Sequence, residues 1–244
     1  MIVRRVFPDS ESIAIREPEG KARLREFYAP PSTPWLRLNF IASVSGNAGG
    51  ASGSSEELSS RVDRRILGAM RQLSDAVLIG AGSFRSEGYV RSKFTRLAVV
   101  TASGDLSGHA VVAADDPLIV LCPPSAHARI AETAGDIEIE LVDVPLTGES
   151  IAATNIVTAL HTHGIESIVC EGGPYLAEKL LSANLVDELC LTTSPVLNGA
   201  SLPMFAAAHF AEKPLTLAQL LVDESSAVYA RWLLRGAEPP ASVR

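Results

Sequence analysis

Two glycine turns carry the residues best suited to chemistry. One reads GAGSF at 80–84 and follows the apolar run AVLI; the other reads EGGPY at 171–175 and follows IVC. Glycine lets a ligand approach the backbone closely. A helix starting just after such a turn offers unpaired N–H groups to an anion, the arrangement used at the carboxyl ends of strands in open α/β sheets. In EGGPY the parts agree: Gly172 and Gly173 open the turn, Pro174 suits a first helical position, and Glu171 sets a carboxylate at the mouth. The bland alternative is a tight strand–helix connection with a solvated glutamate. GAGSF opens like a GxGxxG fingerprint, but Arg85 stands where the third glycine belongs and no clear helix is expected after it. No glycine stretch is followed by Lys-Ser or Lys-Thr, which excludes a Walker A loop.

Other reactive residue types point away from metal and thiol chemistry. Cys122, Cys170 and Cys190 each sit in an apolar run without a CxxC pair, so buried reduced thiols are expected rather than disulfides or a zinc site. His161 and His163 flank Thr162 at a helix end, where a cap or surface role outweighs metal ligation; no metal is expected. A net charge of −7 opposes a nucleic-acid footprint, and no run reaches the roughly 18 apolar residues of a membrane span. Without a signal-peptide core at its N-terminus, the chain is expected in the cytoplasm.

The elements that must hold these turns follow from periodicity. Residues 1–34 mix charges with prolines and are expected to form an irregular segment packed on a single domain spanning 35–244. LRLNFIASV at 36–44 reads as a strand, and NAGGASGSS at 47–55 as a surface or ligand-facing loop. From Ser60 the positions Val62, Ile66, Met70 and Leu73 recur at helical spacing before the strand DAVLIGAG. Strands at 97–104, 117–122, 137–144, 166–171 and 187–197 then alternate with helices, implying a mainly parallel sheet flanked by helices, the α/β class. Asp187 and Glu188 are expected to open the last of these beside solvent or a dimer contact. The segment LTLAQLLVDESSAVYARWLL closes the chain as an antiparallel hairpin on the sheet's edge.

The segments PWLRLNFIASVSG, RQLSDAVLIGAGSFRSEGY, LAVVTASG and CEGGPYLAEKLLSANLVDELCLTTSPVLNG, in this order, resemble the reductase domain of bacterial riboflavin biosynthesis, which is dihydrofolate-reductase-like in fold. The likeness covers roughly residues 35–235. The HxE and PCxxC motifs of the deaminase often fused to that domain are absent, so the chain resembles a stand-alone, pyrimidine-reductase-like protein.

The resemblance implies a homodimeric, NADPH-dependent oxidoreductase acting on a small molecule, with no nucleic-acid or membrane partner. The expected substrate is 5-amino-6-(5-phosphoribosylamino)uracil, whose ribosyl group is reduced by hydride transfer. By the same resemblance, Gly172, Gly173, Pro174, Tyr175, Leu176 and Ala177 form the cofactor's phosphate cradle, through backbone N–H groups except at Pro174. Gly82, Ser83 and Glu87 also bind the cofactor, Ser83 at the nicotinamide nucleotide, while the backbone of Ile41 runs along the ring and Ser103 lies beside the adenosine ribose. A neutral hydroxyl there tolerates a 2′-phosphate, whereas an acid repels it. Asn39, Ser55, Arg71 and Glu171 take the substrate, Glu171 as its positioning or proton-relay group.

Departures from the family pattern concern the substrate. Asn39 replaces a lysine, Ser45 replaces an aspartate, and SEGYVRSKF replaces a run with a substrate arginine, leaving Arg91 and Lys93 nearby. Each charge-assisted hydrogen bond to substrate removed in this way is worth ~1.5–3 kcal/mol. Two alternatives therefore stand beside the leading reading: a reductase of another substrate such as dihydrofolate, and a dimer that binds NADPH without turnover.

Overall fold

The computed structural model describes residues 1–51, 53–87, 95–111, 116–199, 202–205 and 210–234. In chain order the elements are β1 (Ile2–Phe7), β2 (Glu11–Ala14), α1 (Pro18–Tyr28), β3 (Trp35–Ser43), α2 (Arg61–Gln72), β4 (Ala76–Gly80), α3 (Ala81–Ser86) and β5 (Arg96–Val100). They continue with β6 (Leu118–Cys122), α4 (His127–Thr133), β7 (Ile139–Asp143), β8 (Leu146–Thr147), β9 (Ser150–Ile151), α5 (Ala153–Thr162) and β10 (Ser167–Gly172). The last are α6 (Pro174–Ser182), β11 (Glu188–Ser194), β12 (Leu215–Asp223) and β13 (Val228–Leu234).

Eleven strands form one sheet in the order β2-β1-β12-β13-β11-β3-β10-β4-β5-β6-β7, and β8 pairs with β9 in a small hairpin. The run from β11 to β7 is parallel throughout, whereas β13, β12, β1 and β2 join by antiparallel pairing. The expected α/β class with a mainly parallel sheet is borne out. Parallel strands are covered on both faces, which is why β6 is apolar and buried along its whole length. Alternation along β4 sends Ala76 and Leu78 into the core under α5 and α6, and Val77 and Ile79 into the core under α3 and α4. A third core joins α1 and α2 to the antiparallel half through Tyr28, Met70, Leu221 and Tyr229. No described helix is long and apolar enough to cross a membrane.

Several expectations are corrected. The first 34 residues are not irregular: β1 and β2 extend the sheet and α1 packs beneath it. Charges hide the strand pattern by occupying inward positions. Arg5 pairs with Glu11 at 2.9 Å and stacks on the Phe27 ring at 4.2 Å, and Arg23 reaches the same carboxylate at 2.9 Å. The β12–β13 hairpin consequently lies inside the sheet, because β1 covers the edge of β12. A helix, α3, does form here, beginning within GAGSF at Ala81 with Gly80 as its N-cap; it is only six residues long, too short to show periodicity.

Glu188, expected beside solvent or a dimer contact, is fully buried. It accepts from Trp35 Nε1 at 3.0 Å and pairs with Arg37 at 3.2 Å and with Arg231. Burial works to raise its pKa, but the two guanidiniums prevail and hold the carboxyl down at about 2. The arginines also donate to the carbonyls closing α1, Arg37 to Tyr28 O at 2.8 Å and Arg231 to Phe27 O. Capping completes the frame on the other side, where Ser60 Oγ accepts from the N–H of Val62 and Asp63 to start α2.

Candidate active site

The site begins with two strands ending side by side. β4 and β10 are adjacent and parallel, with Gly172 opposite Ile79, so the two glycine turns emerge at the same edge and touch. Gly172 has φ +129°, a conformation that favours glycine, and the Gly172–Gly173 peptide is cis. A Cβ built on Gly173 would lie 3.0 Å from Ser83 Oγ, and one on Gly80 would lie 3.8 Å from Gly173 N. The backbone therefore passes the Ser83 hydroxyl at a distance that a side chain at Gly173 would close.

α6 starts from this turn with Gly173 as N-cap and Pro174 in the first turn. The N–H groups of Leu176 and Ala177 donate to Gly173 O at 3.1 and 3.2 Å, and both side chains are buried. Those two amides are thus used by the helix itself; Tyr175, exposed, brings the first-turn N–H nearest the turn.

A cleft of about 550 Å³ opens over the two turns and is walled by β3, the loop before α2, and α2. It gathers Asn39, Ile41, Ser55, Arg71, Ser83, Glu87, Glu171, Gly172, Gly173 and Pro174. The remaining expected residues do not line it. Gly82 is exposed on α3 and Tyr175 on α6, Leu176 and Ala177 belong to the core, and Ser103 sits exposed in the loop after β5, its Oγ accepting from Asp105 N at 3.3 Å. Arg91 and Lys93 lie outside the described residues.

Within the cleft, Arg71 grips Glu171 with Nε to Oε1 at 2.7 Å and Nη2 to Oε2 at 2.6 Å. The glutamate that the sequence sets at a turn is therefore half of a two-pronged ion pair joining helix α2 to strand β10, a geometry that fixes both planes. The walls also carry residues that sequence reading passes over, chiefly Asp63, Ser59 and Ser54. Asp63 escapes notice because it opens DRR on a charged helix, a pattern that reads as solvated. Its place three residues after the helix-capping Ser60 is the available signal.

Reactive thiols are absent from the described wall. All three cysteines are reduced and buried, and burial pushes Cys122 up to about 11 and Cys170 up to about 12. Elsewhere, donor atoms of Cys122, His127 and Asp143 lie within 4.8 Å of one another. His127 Nε2 contacts Asp143 Oδ1 at 2.6 Å there.

These features define an α/β protein with a small-molecule cleft at the carboxyl ends of its parallel strands. Residues 34–229 match the RibD C-terminal domain, and the chain belongs to that family. Two curated relatives are each a 2,5-diamino-6-ribosylamino-4(3H)-pyrimidinone 5′-phosphate reductase. The one from Archaeoglobus fulgidus is 27% identical over 186 residues, 68% of this chain and 82% of that protein. The one from Methanothermobacter thermautotrophicus is 26% identical over 180 residues, 68% and 80% of the respective chains. Among solved structures, a pyrimidine reductase-like protein from Corynebacterium diphtheriae superposes with a TM-score of 0.64 at 20% identity, covering 82% of this chain and 92% of that one. That likeness shows the fold.

Proposed function

We propose that this chain is an NADPH-dependent reductase of a ribosylamino-pyrimidine phosphate in riboflavin biosynthesis. The observation carrying this reading is the meeting of the GAGS and EGGP turns beneath one cleft that also holds the Arg71–Glu171 pair. Membership in the RibD C-terminal domain family and the names of the archaeal relatives support it.

The residues present fit a dinucleotide. Gly172 and Gly173 leave the strand end without side chains where Ser83 Oγ approaches, and an N-terminal helical turn follows directly. Gly173 and Tyr175 would offer backbone N–H groups to phosphate, Ser83 and the Ile41 backbone would flank the nicotinamide, and Ser103 would sit beside the adenosine ribose. When bound, the cofactor supplies the hydride. The chain's own residues bind and orient: Arg71 fixes the Glu171 carboxylate, while Asn39 and Ser55 add neutral donors and acceptors.

We further propose a homodimer. Val44, Val196, Leu197 and Leu202 are exposed apolar side chains on neighbouring loops, Val44 N–H donating to Val196 O at 2.9 Å. Three reduced cysteines suit the cytoplasm.

NADPH oxidation with the diaminopyrimidinone phosphate, the aminouracil phosphate and dihydrofolate tests the reading. Turnover of a ribosylamino-pyrimidine supports it, turnover of dihydrofolate alone moves the chain to another substrate, and tight NADPH binding without turnover leaves a non-catalytic binder. Light scattering checks the dimer.

A further inference from the structure

Asp63 is another carboxylate of the cleft, and it is built differently from Glu171. It lies in the first turn of α2, with its N–H on Ser60 Oγ at 3.1 Å. Its side chain is held by two hydroxyls: Thr192 Oγ1 donates to Oδ1 at 2.8 Å and Ser59 Oγ donates to Oδ2 at 2.7 Å. Thr192 is itself buried. Among the described residues no ion pair joins Asp63 to a cation; the neighbouring Arg64 reaches Glu56 instead, at 3.3 Å. Burial accordingly pushes the Asp63 carboxyl above its ordinary value, against the hydroxyls and Arg64.

A carboxylate oxygen accepts about two hydrogen bonds, so with one donor each among the described residues, both oxygens of Asp63 have a second place open. Two open acceptors on one planar group match two adjacent N–H donors. A 2-amino-4(3H)-pyrimidinone ring, the ring named in the archaeal relatives, presents such an edge in its N3–H and 2-amino group. Uracil presents N3–H between two carbonyls, so the second carboxylate oxygen would face an oxygen. Asp63 and Arg71 both stand on the stripe of α2 that lines the cleft, eight residues and so about 12 Å apart along the helix. That spacing leaves room for a ring at Asp63 and a sugar near the Arg71–Glu171 pair.

We propose that Asp63 reads the N3–H and 2-amino edge of the pyrimidine and makes this chain select the 2-amino ring over uracil. This rests on the reductase reading above. A site built to hydrogen-bond an N–H group rejects the analogue lacking it strongly, so the wild-type kcat/KM favours the diaminopyrimidinone by about 100-fold or more. Asp63→Asn replaces one acceptor with a donor and so fits uracil's N3–H and C2 carbonyl.

The test measures kcat/KM with NADPH for both ribosylamino-pyrimidine phosphates in the wild type, Asp63→Asn and Asp63→Ala. Alongside, calorimetric titration compares isocytosine and uracil as ring probes, and melting curves verify that the variants fold. The expected result is a wild-type preference for the 2-amino ring that falls at least tenfold or reverses in Asp63→Asn. Equal wild-type kcat/KM for both substrates, or an unchanged preference in Asp63→Asn, overturns the inference while leaving the reductase reading in place. If neither substrate is reduced, that reading fails and the titration decides the inference: isocytosine binding tighter than uracil, abolished in Asp63→Ala, upholds it, and equal binding overturns it.

Discussion

Arg71 and Glu171 are locked face to face, two hydrogen bonds of 2.7 and 2.6 Å joining residues 100 positions apart in the chain. Glu171 is 6% exposed and Arg71 18%, so the pair is largely removed from water. Glu171→Gln removes one charge and one acceptor together and leaves the guanidinium under-compensated. Turnover is expected to fall by about two orders of magnitude, as when a charge-assisted hydrogen bond of ~1.5–3 kcal/mol is removed, with NADPH affinity nearly unchanged. Steady-state kinetics alongside cofactor titration check this, and an equal fall in both would take the substrate role from Glu171.

Gly173→Ala probes the contact between the turns. The added Cβ would stand 3.0 Å from Ser83 Oγ, so the hydroxyl or the turn that carries it has to give way. NADPH is expected to bind at least tenfold more weakly, and adding Ser83→Ala, which removes the obstructing atom, should restore part of the fold's melting temperature. Fluorescence titration and calorimetry read the two effects separately.

Cofactor choice is tested at Ser103. Aspartate at this position would repel a 2′-phosphate and accept from a free 2′-hydroxyl. Ser103→Asp should lower the NADPH-to-NADH ratio of kcat/KM by roughly tenfold or more. An unchanged ratio would remove Ser103 from the neighbourhood of that phosphate.

Glu188 gives a pH dependence whose sign follows from its depressed pKa. In the unfolded chain its carboxyl titrates near 4.5, and in the folded chain near 2. Its contribution to stability is therefore complete above about 4.5 and disappears as the pH falls toward 2. Glu188→Gln strands two buried arginines and is expected to cost ~3–5 kcal/mol at neutral pH, while flattening the acid limb of the stability curve. Urea unfolding at several pH values measures both.

The parallel half of the fold is readable in the sequence because strands buried on both faces are apolar throughout, as LIVLC in β6 shows. The antiparallel half is harder. In β1 an arginine takes an inward position and is neutralised by Glu11, which begins the next strand, so its hydrophobic alternation is broken by a pair no local window reveals. Glu188 misleads for the same reason, since its partners Arg37 and Arg231 arrive from β3 and β13. At the site, the glycine turns are visible as sequence, but their mutual contact depends on the register of β4 against β10. Asp63 is hard to read as a cleft residue because, beyond its place after the capping Ser60, it is the approach of Thr192 from β11 that sets it apart from a solvated helix charge.

The match to the family begins at residue 34, yet the sheet continues through β1 and β2, which come before it. Cutting the chain at that border would bare the flank of β12 and take from Arg37 and Arg231 the Tyr28 and Phe27 carbonyls on which they rest. The border of the family match and the border of what can stand alone therefore differ, and a fragment cut at residue 34 would be expected to clump rather than fold.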